Sequence, residues 1–333
     1  GDLSFVKKNS DTDETLAYIP FRITNNTTGE THYILTSADG TFTSAVGKTT
    51  NTNANDAVLS QYGDKDVIPQ SVVDSLAKDA GLWFGMGSEG TMTAANDSYS
   101  SFVYGTYTIT ELKTEATRSM KMYTSTFTID TDGKVLDLGT VNNVPMRIKT
   151  TLVDVNGEHF TEATSTVTLT DHVAYKNLDT DKTYTLTGTL YVKDGDALTE
   201  MMTETVDFQP TETSGTQDVT FTFDASELVG KSVVAFEELS VNGEFCAEHK
   251  DKDDENQTVT FPGIQTTARD NVTEDHVSNA TDSITIVDTV AYTDLKKGDT
   301  YTVTGTLMDA ETGEAALDDD GNAITASKEF TAP

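Results

Sequence analysis

The sequence places polar side chains with reactive chemistry at positions where an alternating strand pattern normally has apolar ones. Between residues 145 and 264, side-chain alternation turns five of them toward the interior: Thr150, Asp171, Glu237, His249 and Gln257. A hydroxyl becomes a nucleophile when a base takes its proton, and carboxylates can orient or assist that base. A carboxamide accepts such an attack only when it is held at close range in a water-poor site.

Attack by Thr150 on the side-chain carbonyl of Gln257 would release ammonia and leave an ester between the first and last strands of this region. The residues alone leave alternatives open. A single inward threonine or glutamine is usually a satisfied hydrogen bond of the core. Alternation also leaves Glu237 and Glu238 as equal candidates for the assisting carboxylate.

A second set of this kind lies in the first part of the chain. Lys7 shares an alternating face with two apolar residues, which places a lysine inward. Burial pushes a lysine toward its neutral amine, which is a nucleophile. Glu111 could move protons, and Asn142 or Asn143 offers the carboxamide. Reaction of Lys7 with that asparagine would form an isopeptide bond, again between first and last strands.

The elements that must position these residues are strands. Threonine-rich stretches such as Thr-Tyr-Thr-Leu-Thr-Gly recur along the chain and favour an all-β fold. We expect residues 1–144 to form one β-domain with an insertion at about 47–98, and residues 145–264 to form a second. Within the insertion, the sequence predicts a helix that Pro69 opens and Gly81 closes.

The last region repeats the beginning of the second one. Residues 283–292 match residues 166–175, and the repeat includes counterparts of Thr150 and Asp171. It contains no counterpart of the glutamate, the histidine or the glutamine. We therefore expect residues 265–333 to be an incomplete second copy, whose exposed strand edges favour self-association.

Composition limits what the protein can bind. Its 333 residues carry 22 basic and 55 acidic side chains, a formal net charge of −33. This charge argues against binding to nucleic acid or to an anionic membrane surface. No apolar run is long enough to insert into a membrane. We expect no metal or cofactor, since the acidic stretch 251–255 lacks the glycine of an EF-hand loop and suits a solvated turn.

Cys246 is the single cysteine of the chain. Secreted β-proteins are commonly secured by disulfides, which one cysteine cannot provide within the chain. Stability against unfolding would therefore have to come from another kind of bond, and the two candidate cross-links would supply it.

One pair of motifs resembles a known family. Val-Ala-Phe-Glu237, followed by His249-x-Asp-x-x-Asp-x-x-Gln257-Thr, is similar to the ester-bond (threonine–glutamine) domains of Gram-positive surface adhesins, also called VaFE repeats. The resemblance covers residues 145–264 with every motif present. It covers residues 265–333 with the front half only.

In that family, a threonine of the first strand bonds the glutamine of the His…Gln motif. The resemblance therefore implies that Thr150, in preference to Thr151, is the nucleophile and Gln257 the electrophile. It also selects Glu237 over Glu238. The residues that would assist as acids and bases are Asp171, Glu237 and His249.

The first region resembles the CnaB (collagen-adhesin B-type) domains of pilins and adhesins. The resemblance rests on Phe-Val-Lys7, Gly-Thr-Tyr-Thr-Ile-Thr-Glu111 and Thr-Val-Asn-Asn143. Such domains carry a Lys–Asn isopeptide bond assisted by the glutamate, which implies these roles for Lys7 and Glu111. Alternation with the preceding leucines selects Asn142, whereas a Val-x-Asn pattern selects Asn143.

Together the resemblances imply tandem Ig-like or CnaB-type β-sandwich domains in the stalk of a cell-wall-anchored bacterial surface protein. Such a protein is extracellular, and its export signal and wall anchor are expected outside these residues. We expect single-turnover bond formation and not an enzyme.

Two other functions fit parts of the sequence. The first domain, its insertion and Trp83 could bind a host surface ligand. Alternatively, Thr150, His249 and Asp171 could serve an extracellular hydrolase. A hydrolase needs an open cleft at its nucleophile, whereas a cross-link needs a buried nucleophile close to Gln257.

Overall fold

Strands form almost all of the regular structure of this protein. The computed structural model describes residues 1–87 and 89–333, and it confirms the expected all-β fold. The first ten strands are β1 (Asp2–Asn9), β2 (Pro20–Asn25), β3 (Thr31–Leu35), β4 (Thr41–Thr43), β5 (Thr50–Asn51), β6 (Ala80–Gly81), β7 (Gly105–Glu111), β8 (Met120–Lys121), β9 (Thr124–Ile129) and β10 (Val135–Pro145).

Two four-stranded sheets make the sandwich of the first domain, with strand orders β4-β1-β10-β8 and β3-β2-β7-β9. Aromatic and aliphatic side chains from both sheets share one core, in which the rings of Phe5 and Phe21 lie 5.1 Å apart. Strands β1 and β10, the first and last of the domain, run parallel to each other. This pairing brings the two ends of the domain side by side.

The insertion holds two short helices, α1 (Asp56–Leu59) and α2 (Gln70–Ser75), and the parallel pair β5–β6. Pro69 precedes α2 as expected, but the predicted end of the helix at Gly81 is wrong. The backbone is already extended at Leu76, and Ala80–Gly81 forms strand β6 instead. Ala80 and Gly81 pair with β5, so they cannot belong to the helix.

Strands β11 to β18 form the second sandwich. One sheet has the order β11-β12-β15, and the other has the order β14-β13-β16-β17 with β18 also paired to β16. The strands are β11 (Arg147–Asp154), β12 (Val167–Lys176), β13 (Tyr184–Asp194), β14 (Ala197–Phe208), β15 (Gly215–Phe223), β16 (Ser232–Val241), β17 (Glu244–His249) and β18 (Thr258–Thr260). Short 3-10 helices lie at Glu115–Thr117, Ser226–Leu228 and Glu255–Gln257.

The last region contains two separate antiparallel pairs, β19 (Gly263–Asp270) with β20 (Ile286–Thr293) and β21 (Thr300–Thr306) with β22 (Thr325–Thr331). Several of its large apolar side chains are exposed, among them Ile264 at 59%. Among the described residues, no helix has the length and apolar character needed to cross a membrane.

Candidate cross-linking sites

Thr150 lies in the first strand of the second sandwich and is fully buried. Its backbone N–H donates to Nδ1 of His249 at 3.1 Å, and its hydroxyl oxygen lies 3.3 Å from the same nitrogen. An amide N–H can only donate, so Nδ1 must carry the lone pair. The hydroxyl of Thr150 therefore donates to Nδ1 as well, which is the arrangement of a nucleophile and its base.

Asp254 lies on the far side of the same imidazole. Its Oδ2 is 3.4 Å from Nε2 of His249, and its other carboxylate oxygen accepts the N–H of Asn256 at 2.9 Å, which fixes the side chain. A carboxylate in this place orients the imidazole and stabilises the imidazolium that forms when the base takes a proton.

The protonation state of His249 suits a base. Burial lowers the pKa of His249 below its ordinary value, although the charges of Asp254 and Asp251 act in the opposite direction. The imidazole is therefore neutral near pH 7 and can accept the proton of the hydroxyl.

Gln257 is fully buried, and three backbone groups hold its carboxamide. The amide nitrogen donates to the carbonyl oxygens of Ala235 at 2.8 Å and of His249 at 3.0 Å. The side-chain oxygen accepts the N–H of Asp251 at 3.2 Å. Strand β11 packs directly against the 3-10 helix that carries Gln257. A fixed carboxamide with a donor on its oxygen is prepared for attack at its carbon.

Asp171 and Glu237 supply two carboxyl groups from opposite sheets, and both are fully buried. As two carboxylates they would find no hydrogen-bond donor among the described residues. Burial raises the pKa of both groups, and the charge of Asp171 raises the pKa of Glu237 further. Glu237 therefore holds a proton near pH 7 and donates it to Asp171, so one proton serves the pair.

The structure separates the alternatives that the sequence left open for the assisting carboxylate and for the nucleophile. Glu238, the neighbour of Glu237, points outward, is 43% exposed, and pairs with Lys250 at 2.9 Å. Thr151 is partly exposed, in contrast to Thr150. Glu237 and Thr150 are therefore the buried members of the two pairs.

The family model of the T-Q ester bond containing domain matches residues 146–261 and 262–333, which together make up more than half of the chain. The chain belongs to this family. The resemblance drawn from the Glu237 and His249–Gln257 motifs is thereby confirmed. No curated protein sequence matches the chain.

Solved structures of bacterial surface proteins resemble the chain at low identity. A bacterial adhesin from Mobiluncus mulieris containing intramolecular disulfide, isopeptide and ester bond cross-links is 12% identical over 56% of this chain and 99% of that chain, with a TM-score of 0.36. BcpA, the major pilin subunit of Bacillus cereus, is 12% identical over 99% of this chain and 95% of that chain, at 0.36. The major pilin SpaD from Corynebacterium diphtheriae is 11% identical over 98% of this chain and 79% of that chain, with a TM-score of 0.39. The assignment to the T-Q family rests on the sequence match alone.

Asp254 is the residue of this T-Q domain that the sequence analysis missed. The expectation of a solvated acidic turn at residues 251–255 includes Asp254. The signal that could have found it is its spacing, since it is the aspartate three residues before Gln257 in the motif itself. Alternation could not select it, because it lies in a turn and not in a strand.

The second T-Q match contains half of such a site. Thr266 pairs with Val290 in the same register in which Thr150 pairs with Val173. Thr266 and Asp288 line an open groove of about 520 Å³ between the two strand pairs. Thr266, the counterpart of Thr150 in the repeat, therefore lies on the wall of a groove.

The first domain brings Lys7, Glu111 and Asn143 together in its core, and all three are buried. The amine of Lys7 donates to Oε2 of Glu111 at 2.9 Å and to Oδ1 of Asn143 at 2.6 Å. The amide nitrogen of Asn143 donates to Oε1 of Glu111 at 2.6 Å. Burial lowers the pKa of Lys7, against the effect of the Glu111 charge. The amine is thereby moved toward its nucleophilic form.

Asn142 is exposed and paired with Lys8, on the opposite face of β10. Alternation from Leu136 and Leu138 pointed to Asn142 because it assumed an unbroken strand. The pairing with β1 shifts between Ser4 and Val6, and Gly139 adopts a φ of +68°. This β-bulge inserts one residue, so every later side chain changes face.

The remaining predicted features lie apart from both sites. Within the described part of the chain, no group of three or more His, Cys, Asp or Glu side chains could hold a metal ion. Trp83 is partly exposed, and its indole N–H donates to the carbonyl oxygen of Thr93 at 3.2 Å. Its ring nitrogen is thus occupied within the insertion.

Proposed function

We propose that this chain is part of the stalk of a bacterial surface protein whose domains lock themselves with covalent bonds. The observation that carries the proposal is the contact of the buried Thr150 hydroxyl with Nδ1 of the partly buried His249, beside a carboxamide of Gln257 that is fixed by the backbone of the same histidine. Family membership supports an ester between these two side chains.

The geometry supports the following reaction. His249 Nδ1 takes the hydroxyl proton of Thr150, and Oγ1 attacks Cδ of Gln257. Negative charge develops on Oε1, where the N–H of Asp251 already donates. The imidazolium then returns its proton to Nε2 of the former amide, and the C–N bond breaks to release ammonia. The products are one ester, which joins Thr150 to Gln257, and one molecule of ammonia.

The bond has a mechanical consequence. Force enters a domain at its terminal strands, here β11 and the segment that ends in β18. An ester between Thr150 and Gln257 would carry this force past the hydrogen-bonded sheets and past residues 151–256. The reaction happens once per molecule, so we propose a structural role and not an enzyme. The full burial of Thr150 and Gln257 favours this role over a hydrolase, which must admit a substrate and water.

A second bond is favoured by the contacts of Lys7. We propose that its amine attacks Cγ of Asn143, with Glu111 moving the protons, and that ammonia leaves. The amine lies 2.6 Å from the carboxamide oxygen, and the carboxylate touches both partners. The isopeptide bond would join β1 to β10 as the ester joins β11 to the end of the second domain.

Intact mass spectrometry tests both bonds. The parent chain should weigh less than its sequence by the mass of two ammonia molecules. Thr150→Ala and Lys7→Ala should each recover one of them, beyond the mass change of the substitution. Thr151→Ala is the matched control for the ester and should stay cross-linked. A parent with the full sequence mass contradicts the proposal.

The extracellular setting is part of the same proposal. A self-made covalent bond secures a domain where no cell machinery can refold it, and a surface stalk is such a place. We propose a cell-wall-attached location for the complete protein. Binding of a host surface ligand by the first domain and its insertion is compatible with this role. The exposed Tyr99 and Tyr104 are the aromatic side chains there that such a ligand could meet.

A further inference from the structure

Gly188 lies opposite Glu237 across the pairing of β13 with β16. A Cβ atom built on Gly188 would lie 3.0 Å from Cδ of Glu237 and closer still to Oε1. It would also lie 2.8 Å from Cζ of Phe221. Real Cβ atoms essentially never approach other atoms this closely. The Glu237 carboxyl thus occupies the space that a side chain at position 188 would need.

Backbone conformation does not explain the glycine. Gly188 is not among the residues with positive φ, and it lies in the interior of a strand, where glycine weakens a sheet. The inward neighbours on the same strand are Leu186 and Leu190, both large and fully buried. A glycine between two core leucines indicates a close approach by another group.

The other wall of this space belongs to the sheet that carries Asp171. Phe221 pairs in that sheet with Leu169, and Leu169 lies two residues before Asp171 on β12. Glu237 is therefore held between β13 and the sheet of its partner carboxyl. Any atom added at Gly188 must move the Glu237 carboxyl relative to Asp171.

We propose that Gly188 is a positioning residue for ester formation, because its lack of a side chain seats the Glu237 carboxyl against Asp171. This inference rests on the proposed function. The repeat in the last region supports it, since Thr-Gly305-Thr-Leu follows the same pattern as Thr-Gly188-Thr-Leu. Gly305 lines the groove together with Thr266 and Asp288, so the glycine recurs in the same layer as the threonine and the aspartate.

The test is the rate of ester formation in freshly synthesised chains that have not yet reacted, which are kept unfolded in denaturant, diluted out of it and followed by intact mass. Gly188→Ala should slow the reaction at least tenfold. Glu237→Asp in the Gly188→Ala background shortens the acid by one methylene and should restore much of the rate. Gly305→Ala is the matched control, because nothing lies within 4 Å of its added Cβ. It should react like the parent.

A packing role would give a different result. Phe221→Leu in the Gly188→Ala background relieves the clash with the ring but not the one with the carboxyl. Rescue by Phe221→Leu and not by Glu237→Asp overturns the proposal, as does a parent-like rate in Gly188→Ala alone. Failure of both double variants to regain rate also overturns it. If the parent and Gly305→Ala form no ester at all, the proposed function has failed first, and the two failures are thereby distinguished.

Discussion

Asn143 and Thr150 lie at the two ends of the short segment 144–149 that joins the first two domains. Strand β10 ends at Pro145 and β11 begins at Arg147, so Met146 alone separates them. The N–H of Met146 donates to the carbonyl oxygen of Ser119 at 2.8 Å. With both bonds formed, a pulling force would pass from Lys7 through Asn143 to Thr150 and stretch little more than this segment.

The first prediction concerns stability. Thr150→Ala removes the ester but leaves the core otherwise intact. The second domain should therefore still fold, but it should be less stable against unfolding. A covalent tie across a loop on the order of 100 residues contributes about 4–5 kcal/mol by the chain-entropy model. For a domain of this size we expect the Tm to fall on the order of 20 °C. Calorimetry of Thr150→Ala against Thr151→Ala measures it, and equal Tm values in a cross-linked parent would contradict it.

The second prediction is the pH dependence of ester formation. The pKa of His249 is lowered by burial, so the imidazole stays neutral down to a pH below the ordinary value of 6.5. The rate should therefore be constant above pH 6.5 and should fall as the pH drops through the lowered pKa. Freshly synthesised chains that have not yet reacted, kept unfolded and then diluted into buffers of different pH, give this profile when their mass is sampled over time. A rate that already falls between pH 8 and 7 would exclude His249 as the base.

Asp254 carries the third prediction. Asp254→Asn keeps the shape of the side chain but removes the charge beside Nε2 of His249, so the imidazolium loses its stabilising partner. Ester formation should slow by about tenfold or more, by analogy with other oriented bases. Asp253→Asn is the control, because that carboxylate is exposed and pairs with Lys252 at 3.0 Å. Equal rates in the two variants would remove Asp254 from the site.

How far the sequence predicted these sites depends on whether each residue lies in a regular strand. Thr150, Asp171 and Glu237 lie in strands that alternate without interruption, and the pattern placed them inward, where the structure has them. Asn143 follows the bulge at Gly139, which no alternation rule anticipates.

Asp254 and Gly188 were beyond the reach of periodicity for different reasons. Asp254 lies in a turn, where side-chain direction depends on local backbone geometry and not on a repeat. Gly188 has no side chain to place, and its role depends on a residue about fifty positions later that pairs with it only in the folded sheet. Both depend on tertiary contacts.

The fourth prediction separates the two asparagines. Asn143→Ala should add back one ammonia beyond the change of the substitution, because the carboxamide beside Lys7 is gone. Asn142→Ala should leave the isopeptide bond intact, since that side chain is exposed on the other face of β10. Glu111→Ala should also leave Lys7 and Asn143 unjoined. Tryptic peptide mapping identifies the linked pair, and a Lys7–Asn142 peptide would contradict the assignment.

The last prediction concerns the open groove of the third region. We expect two copies of the chain to associate through it, because apolar side chains such as Ile286 and Tyr292 line it and the edges of β20 and β21 are unpaired there. The net charge of −33 opposes association, so added salt should strengthen it by screening.

Light scattering over a range of protein and salt concentrations measures this association. Ile286→Asp places a charge in the groove and should give a monomer. Val277→Asp adds the same charge at a side chain that is 73% exposed and lies outside the groove, so this variant should associate like the parent. Because each variant adds one negative charge, a difference between them must come from the groove. A parent that stays monomeric at high salt would show that this face has no affinity for itself.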